Sequence, residues 1–386
     1  MRTPAEALDA LRALPCGARL LDVLAEHEGA WVVGGAVRDA LLGTTPRELD
    51  VVVEGDPEPV ARALGAIVAF HERFGTYDVV EGDCVYDVVT ARSESYRAPG
   101  ALPDVVPAGL EDDLLRRDFT VNALALNAAG ELHAAPAALE DLEAGRLRTM
   151  HAASFRDDPT RLWRMVRYAV RLGFVPEPAT SEQASEAVRA GAPATVSGDR
   201  LGAELRLALG ERDPLAVLHA AQNLGLAAEL DLDPLRVATA LALLPRDGEV
   251  RDDLTLLGAV IPDGAWAAPY GFTAAERRIL DRAAALAPVA ASPPARPSEV
   301  AAALRGEPVE AVAVAGARGD AETARTYWDR WRHVTLAIDG HDLLEAGVPE
   351  GPELGRRLAA VLARRLDGDL APGRDAELAA ALDAAS

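Results

Sequence analysis

Residues 31–56 read WVVGGAVRDALLGTTPRELDVVVEGD, and the chemistry their types and spacing could do is phosphate and metal chemistry. Gly34-Gly35 ends an apolar run, so the backbone there can approach a ligand closely while the next helix aims its first N–H groups at it. Arg38, within that first turn, adds a cation to the same phosphate seat. Glu48 and Asp50 stand two apart at the start of a second apolar run, which puts both side chains on one face of a strand. Two carboxylates on one face suit a pair of Mg2+ ions, because magnesium prefers oxygen ligands and shares them with substrate phosphates. Asp87, in VYDVVTA, lies on another strand and is available as a third carboxylate. A glycine pair after a strand is by itself an ordinary turn, and alternating acids are an ordinary solvated edge. Their conjunction, order and spacing carry the signal. G-x-G-x-x-G does not occur, which argues against a dinucleotide fold.

The elements that must position these residues follow from the hydropathy pattern. The first 28 residues place Leu8, Leu11 and Leu14, then Leu20, Leu21, Val23 and Leu24, at helical spacing. From Ala30 to about Ala128 the pattern changes to short β-branched runs: WVVGG, LDVVVEG, AIVAF, TYDVVE, VYDVVTA and FTVNALAL, separated by Gly, Asp and Pro. Beyond about Ser154 the strand signals fade into consecutive amphipathic helices, with Ser197-Gly198-Asp199 and Asp213-Pro214 as helix starts. The Pro-rich segment APVAASPPARPSEV (287–300) reads as a linker or long loop. The expectation is an α+β chain in which a mixed-sheet head is followed by an all-α neck, body and tail. Its segments are residues 1–28 (N-terminal helices), 29–150 (head), 151–215 (neck) and 216–386 (body and tail).

Composition bounds the function. The chain has 386 residues, room for two or three domains with their own cores. No window approaches the ~18 unbroken apolar residues of a membrane span, and the N-terminus lacks the apolar core of an export signal. Cys16 and Cys84 are the only cysteines, too few for a disulfide scaffold or a cysteine zinc site, so the cytoplasm is the expected location. The seven histidines are scattered and show no metal-phosphohydrolase domain. With 39 basic against 61 acidic residues the net charge is −22, which taken alone argues against a nucleic-acid binder. Every one of the 39 is Arg, however, and they cluster at 116–117, 161–171, 325–332 and 356–365. Arg is the better bidentate phosphate ligand, and local potential decides phosphate binding.

Four blocks carry a resemblance: GGAVRDALLG with RELDVVVEGD, then LEDDLLRRDFTVNALAL, then FRDDPTRLWRMVRYAVRLGF, in that order over about Trp31 to Phe174. Together they resemble the class II tRNA nucleotidyltransferase and bacterial poly(A) polymerase family. The segment LAIDGHDLLEAGVPEGPELGRRLAAVLARRLDG is similar to that family's C-terminal part. The resemblance implies that Glu48 and Asp50 bind two Mg2+ ions, with Asp87 the third acid. It implies that Gly35 and Arg38 contact the triphosphate and that Arg117 contacts the nucleotide. Asp158 and Arg161 would read the base edge of incoming CTP or ATP, and Arg164 and Arg167 would continue the nucleotide-contacting helix. An Asp acceptor and an Arg donor three apart share one helix face and can match the Watson–Crick edge of C or A. Arg161, Arg164, Arg167 and Arg171 form one stripe, with Leu162, Val166, Ala169 and Val170 mostly on the opposite, core-facing side.

The activity implied is template-independent addition of nucleotides, CCA or the terminal A only, to the 3′ end of tRNA, with release of pyrophosphate. VTARSESYRAPGALPDV looks more like the A-adding and poly(A)-adding branch than like full CCA-adding members. The helical body would hold the acceptor arm. The alternatives are a poly(A) polymerase acting on general RNA 3′ ends, and a catalytically impaired RNA-binding relative. The latter rests on Glu48, where the family usually has Asp: one methylene moves the carboxylate by roughly an ångström, a misplacement that can cost ~10²-fold in rate. Two further departures, HAAPAA at 133–138 and Asp157 in place of Glu, bear on loop geometry and are mild.

Overall fold

The computed structural model describes residues 1–245 and 247–383, which divide into two compact units, Met1–Ala228 and Glu229–Ser386. The first begins with two short helices, α1 (Pro4–Arg12) and α2 (Gly17–Ala25). Thr3 and Glu6 start α1 as a reciprocal capping box with Pro4 in the first turn, where its missing N–H costs nothing. Then come β1 (Ala30–Val33), α3 (Gly35–Leu42), β2 (Asp50–Val53), α4 (Glu58–Leu64), β3 (Ala66–His71), β4 (Thr76–Glu81) and β5 (Cys84–Thr90). A hairpin follows, β6 (Arg92–Ser95) with β7 (Asp104–Pro107), and then α5 (Leu110–Leu115), β8 (Leu124–Leu126), β9 (Leu132–Ala134) and α6 (Ala138–Ala144). The unit closes with α7 (Ser154–Asp157), α8 (Thr160–Leu172), α9 (Pro178–Arg189), α10 (Gly198–Leu209) and α11 (Pro214–Leu224).

Seven strands form one mixed sheet in the order β3-β4-β5-β2-β1-β8-β9, in which only β2–β5 is parallel. The central strands are covered on both faces, which is why they read as unbroken apolar runs. Ala30, Val32, Val51 and Val53 pack into the larger core with α1 to α4, whereas Trp31, Val33 and Val52 face a smaller core closed by Leu110 and Leu114 of α5.

The sequence reading needs three corrections here. FTVNALAL is a strand only over its last three residues, because Asp118 accepts bonds from the Phe119 amide and the Asn122 side chain and curls residues 120–122 into a 3₁₀ turn. The two cysteines, expected to be too few for a disulfide framework, do pair: Cys16 is bonded to Cys84, joining the start of α2 to the start of β5. Tyr86 reinforces that junction by donating its hydroxyl hydrogen to the Cys16 carbonyl, 3.0 Å away. The third concerns the Pro-rich segment and belongs to the second unit.

Among its described residues that unit is helical. Its helices are Pro234–Leu243, Asp252–Val260, Ala274–Ala291, Pro297–Leu304, Val309–Arg318, Ala321–Asp329, Gly340–Glu345, Pro352–Leu366 and Arg374–Asp383. Val309–Arg318 is the hub, buried from Glu310 through Gly316; a Cβ on Gly316 would stand 2.5 Å from the Ala324 side chain, so glycine permits that helix approach. The expected linker at 287–300 is mostly helix. Ala274–Ala291 continues through Pro288 in its last turn, and Pro297 opens the next helix at a position suited to its fixed φ and missing N–H. No helix of the described residues is long and apolar enough to cross a membrane.

Candidate active site

All ten residues singled out from the sequence line one cleft of about 900 Å³ in the first unit. One wall is the sheet. Gly34 closes β1 with φ 67°, ψ −130°, a conformation L side chains rarely adopt, and turns the chain into α3 with Gly35 as its first residue. A Cβ at Gly34 would stand 2.8 Å from Arg117 Nη1, so the glycine also leaves room for that guanidinium. Asp50 opens β2 directly opposite Asp87 of β5 in the parallel register, and Glu48 sits in the irregular segment just before β2. Among the described residues, none of these three carboxylates has a hydrogen-bonded or ion-paired partner. Burial, with the charges of Glu48 and Asp87 adding to it, pushes the Asp50 carboxyl up to about 6, against the pull of Arg117 and Arg164. Burial, Asp78 and Glu48 raise Asp87 as well.

That donor set fits Mg2+: hard carboxylate oxygens, unpaired, whose mutual repulsion a divalent cation would relieve. Among the described residues no group of three or more His, Cys, Asp or Glu side chains is gathered closely enough to hold a metal alone. A magnesium here would therefore take one or two carboxylates and complete its shell with water and substrate oxygens, the usual arrangement for this ion.

The other wall is α8, and its chemistry is the opposite. Each arginine of the expected stripe is held by partners. Arg161, 5% exposed, donates to Ser154 Oγ (2.8 Å), to the Arg116 carbonyl (3.0 Å) and to the Tyr96 hydroxyl (3.4 Å). Arg164 donates to Asp118 Oδ2 (2.7 Å) and to the Tyr168 hydroxyl (2.8 Å). Arg167 lies 3.6 Å from Glu204, and Arg171 lies 3.7 Å from Glu211. Burial alone would raise Asp118; Arg164 and Asn122 outweigh it and hold that carboxyl down at about 2. Glu204 is raised, because its burial outweighs Arg164 and Arg167. The guanidinium carbons of Arg38, Arg164, Arg167 and Arg171 all lie 5.1–5.8 Å from the centroid of the single Tyr168 ring, within cation–π range.

Two placements differ from the sequence reading. Asp158 does not share the α8 face with Arg161. It precedes the helix in extended conformation (φ −133°, ψ 93°), because a residue before proline is driven out of the helical region and Pro159 follows it. Both side chains nevertheless line the same cleft. Arg38 is not a free cation over the phosphate seat: it is 1% exposed, bonded to Asp39 (2.7 Å) and to Asn122. Arg117 is tied to Asp113 (2.9 Å). Of the partners that sequence reasoning missed, Asp113 was legible as an acid three and four residues before Arg116 and Arg117. Tyr168, at helical spacing from Arg164 and Arg171, was legible on the same grounds, whereas Asp118 and Glu204 left no periodic signal.

Residues 30–148 match the poly(A) polymerase head domain family. The CC-adding tRNA nucleotidyltransferase of Deinococcus radiodurans is 35% identical over 355 residues, covering 87% of this chain and 84% of that protein. The chain belongs to the tRNA nucleotidyltransferase family. The A-adding tRNA nucleotidyltransferase of Geobacter sulfurreducens is 34% identical over 380 residues, 88% of this chain, but the chain spans only 43% of that relative's length. Among solved structures, a CCA-adding enzyme in an apo form matches with a TM-score of 0.80 at 26% identity, over 100% of this chain and 99% of the other. The segment that matches the head domain family thus spans the seven-stranded sheet and the carboxylate wall.

Proposed function

We propose that this nucleotidyltransferase adds nucleotides from CTP or ATP to the 3′ end of tRNA without a template strand, releasing pyrophosphate. The observation that carries the reading is the two-walled cleft: unpaired acids on the sheet face a rank of partnered arginines on α8. The reading is supported by relatives named for adding CC or A to tRNA.

The RNA 3′-hydroxyl oxygen attacks the α-phosphorus of the triphosphate; a P–O bond forms there as the bond to the pyrophosphate oxygen breaks. Glu48 and Asp50 are the residues that would hold two Mg2+ ions, which when bound lower the pKa of the attacking hydroxyl and neutralise the leaving pyrophosphate. Asp87 would take the hydroxyl proton, a role supported by its register position opposite Asp50 and by its raised carboxyl. The Gly34-Gly35 turn lets the triphosphate approach the first N–H groups of α3, and Arg117 reaches over the same turn. Arg38, buried and paired, shapes that seat from behind. Asp158 and Arg161 read the base edge, and Arg164 and Arg167 supply fixed positive potential along the α8 wall. A cytoplasmic location belongs to the same reading; the Cys16–Cys84 disulfide, a linkage rare in reducing compartments, is the feature that runs against it.

The test is Mg2+-dependent incorporation of labelled CTP or ATP into three acceptors: tRNA lacking CCA, tRNA ending in CC, and an unstructured oligoribonucleotide. Incorporation confined to the tRNAs is expected, and the acceptor used separates CC, A and CCA addition. Extension of the oligoribonucleotide would replace this reading by a poly(A) polymerase. Tight tRNA binding with no incorporation anywhere would leave an RNA-binding relative.

A further inference from the structure

The least expected contact in the cleft is made by a residue outside the family blocks. The Asp158 side chain accepts three hydrogen bonds, and all fall on one oxygen: Oδ1 accepts from the Thr160 amide (3.1 Å), the Thr160 hydroxyl (2.6 Å) and Arg200 Nη2 (2.8 Å). Arg200 comes from the first turn of α10, 42 residues away along the chain. Its other terminal nitrogen, Nη1, donates to the Gly100 carbonyl (2.8 Å) in the loop of the β6–β7 hairpin.

That loop is itself pinned. The Gly100 amide points at the carbonyls of Arg156 and Asp157, 3.3 Å from each, and its φ of +71° is one that glycine adopts freely. A Cβ there would stand 2.3 Å from Thr195 Oγ1. Four residues earlier, Tyr96 in the same loop touches Arg161, the other half of the acceptor–donor pair. One guanidinium therefore clamps three segments at a single carboxylate: the extended turn before α8, the hairpin loop and the start of α10.

We propose that Arg200 is a specificity-determining positioning residue, which fixes the free Oδ2 of Asp158 at a set spacing from Arg161. This rests on the proposed base-reading role of Asp158 and Arg161. With Thr160 alone, the carboxylate plane could still tilt about the Cα–Cβ and Cβ–Cγ bonds and carry its second oxygen away from Arg161. The planar two-pronged guanidinium, anchored at its far side on Gly100, removes that freedom. An acceptor oxygen so fixed takes the exocyclic N–H of cytosine or adenine and confronts the carbonyl of uracil or guanine with another acceptor. Misorienting it weakens the rejection of UTP and GTP more than it weakens the use of CTP or ATP. A clamp that served only stability would slow all four nucleotides alike.

The experiment measures kcat/KM for all four nucleoside triphosphates on tRNA acceptors, with thermal melting as the check on folding. It compares the unmodified protein, Asp158→Asn, Arg200→Met, Arg200→Lys and the Asp158→Asn/Arg200→Met double variant. Arg200→Met should lower the preference for the used nucleotide over UTP and GTP by about tenfold, the scale of one good base-edge contact. Arg200→Lys, with a single point of attachment, should lose less. The double variant should be no less selective than Asp158→Asn alone, because both substitutions disable the same device. Unchanged selectivity in the Arg200 variants that fold, alongside a loss in Asp158→Asn, overturns the inference. Unchanged selectivity in Asp158→Asn overturns the base-reading proposal beneath it. Losses that add in the double variant assign Arg200 a separate role and also overturn it.

Discussion

The two walls of the cleft are built on opposite rules. On the sheet side Glu48, Asp50 and Asp87 share the cleft with no ion-paired cation, and burial with its acidic neighbours drives Asp50 up to about 6 against the pull of Arg117 and Arg164. On the α8 side every arginine has an acid, a hydroxyl or an aromatic face, and Asp118 is driven down to about 2. An unpaired cluster of one sign is a site waiting for something to bind, whereas a paired array is finished before the substrate arrives. The difference separates residues that hold what enters from residues that are held in advance, as electrostatic preorganisation requires.

The comparison breaks most visibly at Asp50. Asp50→Ala should lower Mg2+-dependent incorporation by at least ~10³-fold, since metal stabilisation of transition-state charge amounts to several kcal/mol. Unchanged incorporation would remove the metal assignment. The wall's own repulsion gives a second readout on the same residue. A raised folded-state pKa means that the stability Asp50 contributes is fully present below its ordinary value near 3.8 and is lost as pH rises through about 6. Asp50→Asn should therefore raise the metal-free melting temperature at pH 7.5 while abolishing turnover.

On the finished wall the signs reverse. Arg164→Met should destabilise the first unit by about 3–5 kcal/mol in denaturant titration, because it leaves the Asp118 carboxylate buried without its partner. A cost below about 1 kcal/mol would mean that water reaches Asp118 and that the wall is less fixed than its geometry shows. A smaller effect comes from pH: Mg2+ affinity, followed by calorimetry, should fall about tenfold per unit below pH 6 as the ion displaces the Asp50 proton, and level off above it. The smallest expected change is at Glu48. Glu48→Asp shortens an exposed side chain and should leave incorporation unchanged or raised, at most by the ~10²-fold scale of an ångström displacement. A large loss would show that this wall has been reshaped around the longer acid.

How far the sequence could be read also differs between the walls. The sheet wall was legible because strand geometry is local: alternation puts Glu48 and Asp50 on one face, and the Gly34-Gly35 turn declares itself. The α8 stripe was legible as a stripe, since spacings of 3, 3 and 4 leave little choice of face. What the stripe meets was not legible. Asp118, Glu204 and Glu211 arrive from elements up to 46 residues away from the arginines they pair with, as in Arg164–Asp118, and no periodicity encodes such a meeting. Asp158 was placed on the helix because spacing was weighed and the proline after it was not. The disulfide was missed on a count of cysteines, when the question was whether residues 16 and 84 come together across the fold.

The register that sets Asp50 against Asp87 has a consequence for the history of the chain. Like charges directly opposite in a ladder weaken a sheet, so a neutral residue at either position would give a sturdier head. Most substitutions there would be welcome to a protein judged on folding alone. A lineage released from nucleotide transfer would be expected to lose these acids early, by drift in the direction of stability. The opposed pair is thus a mark by which a head kept for nucleotide transfer would differ from one kept for binding alone.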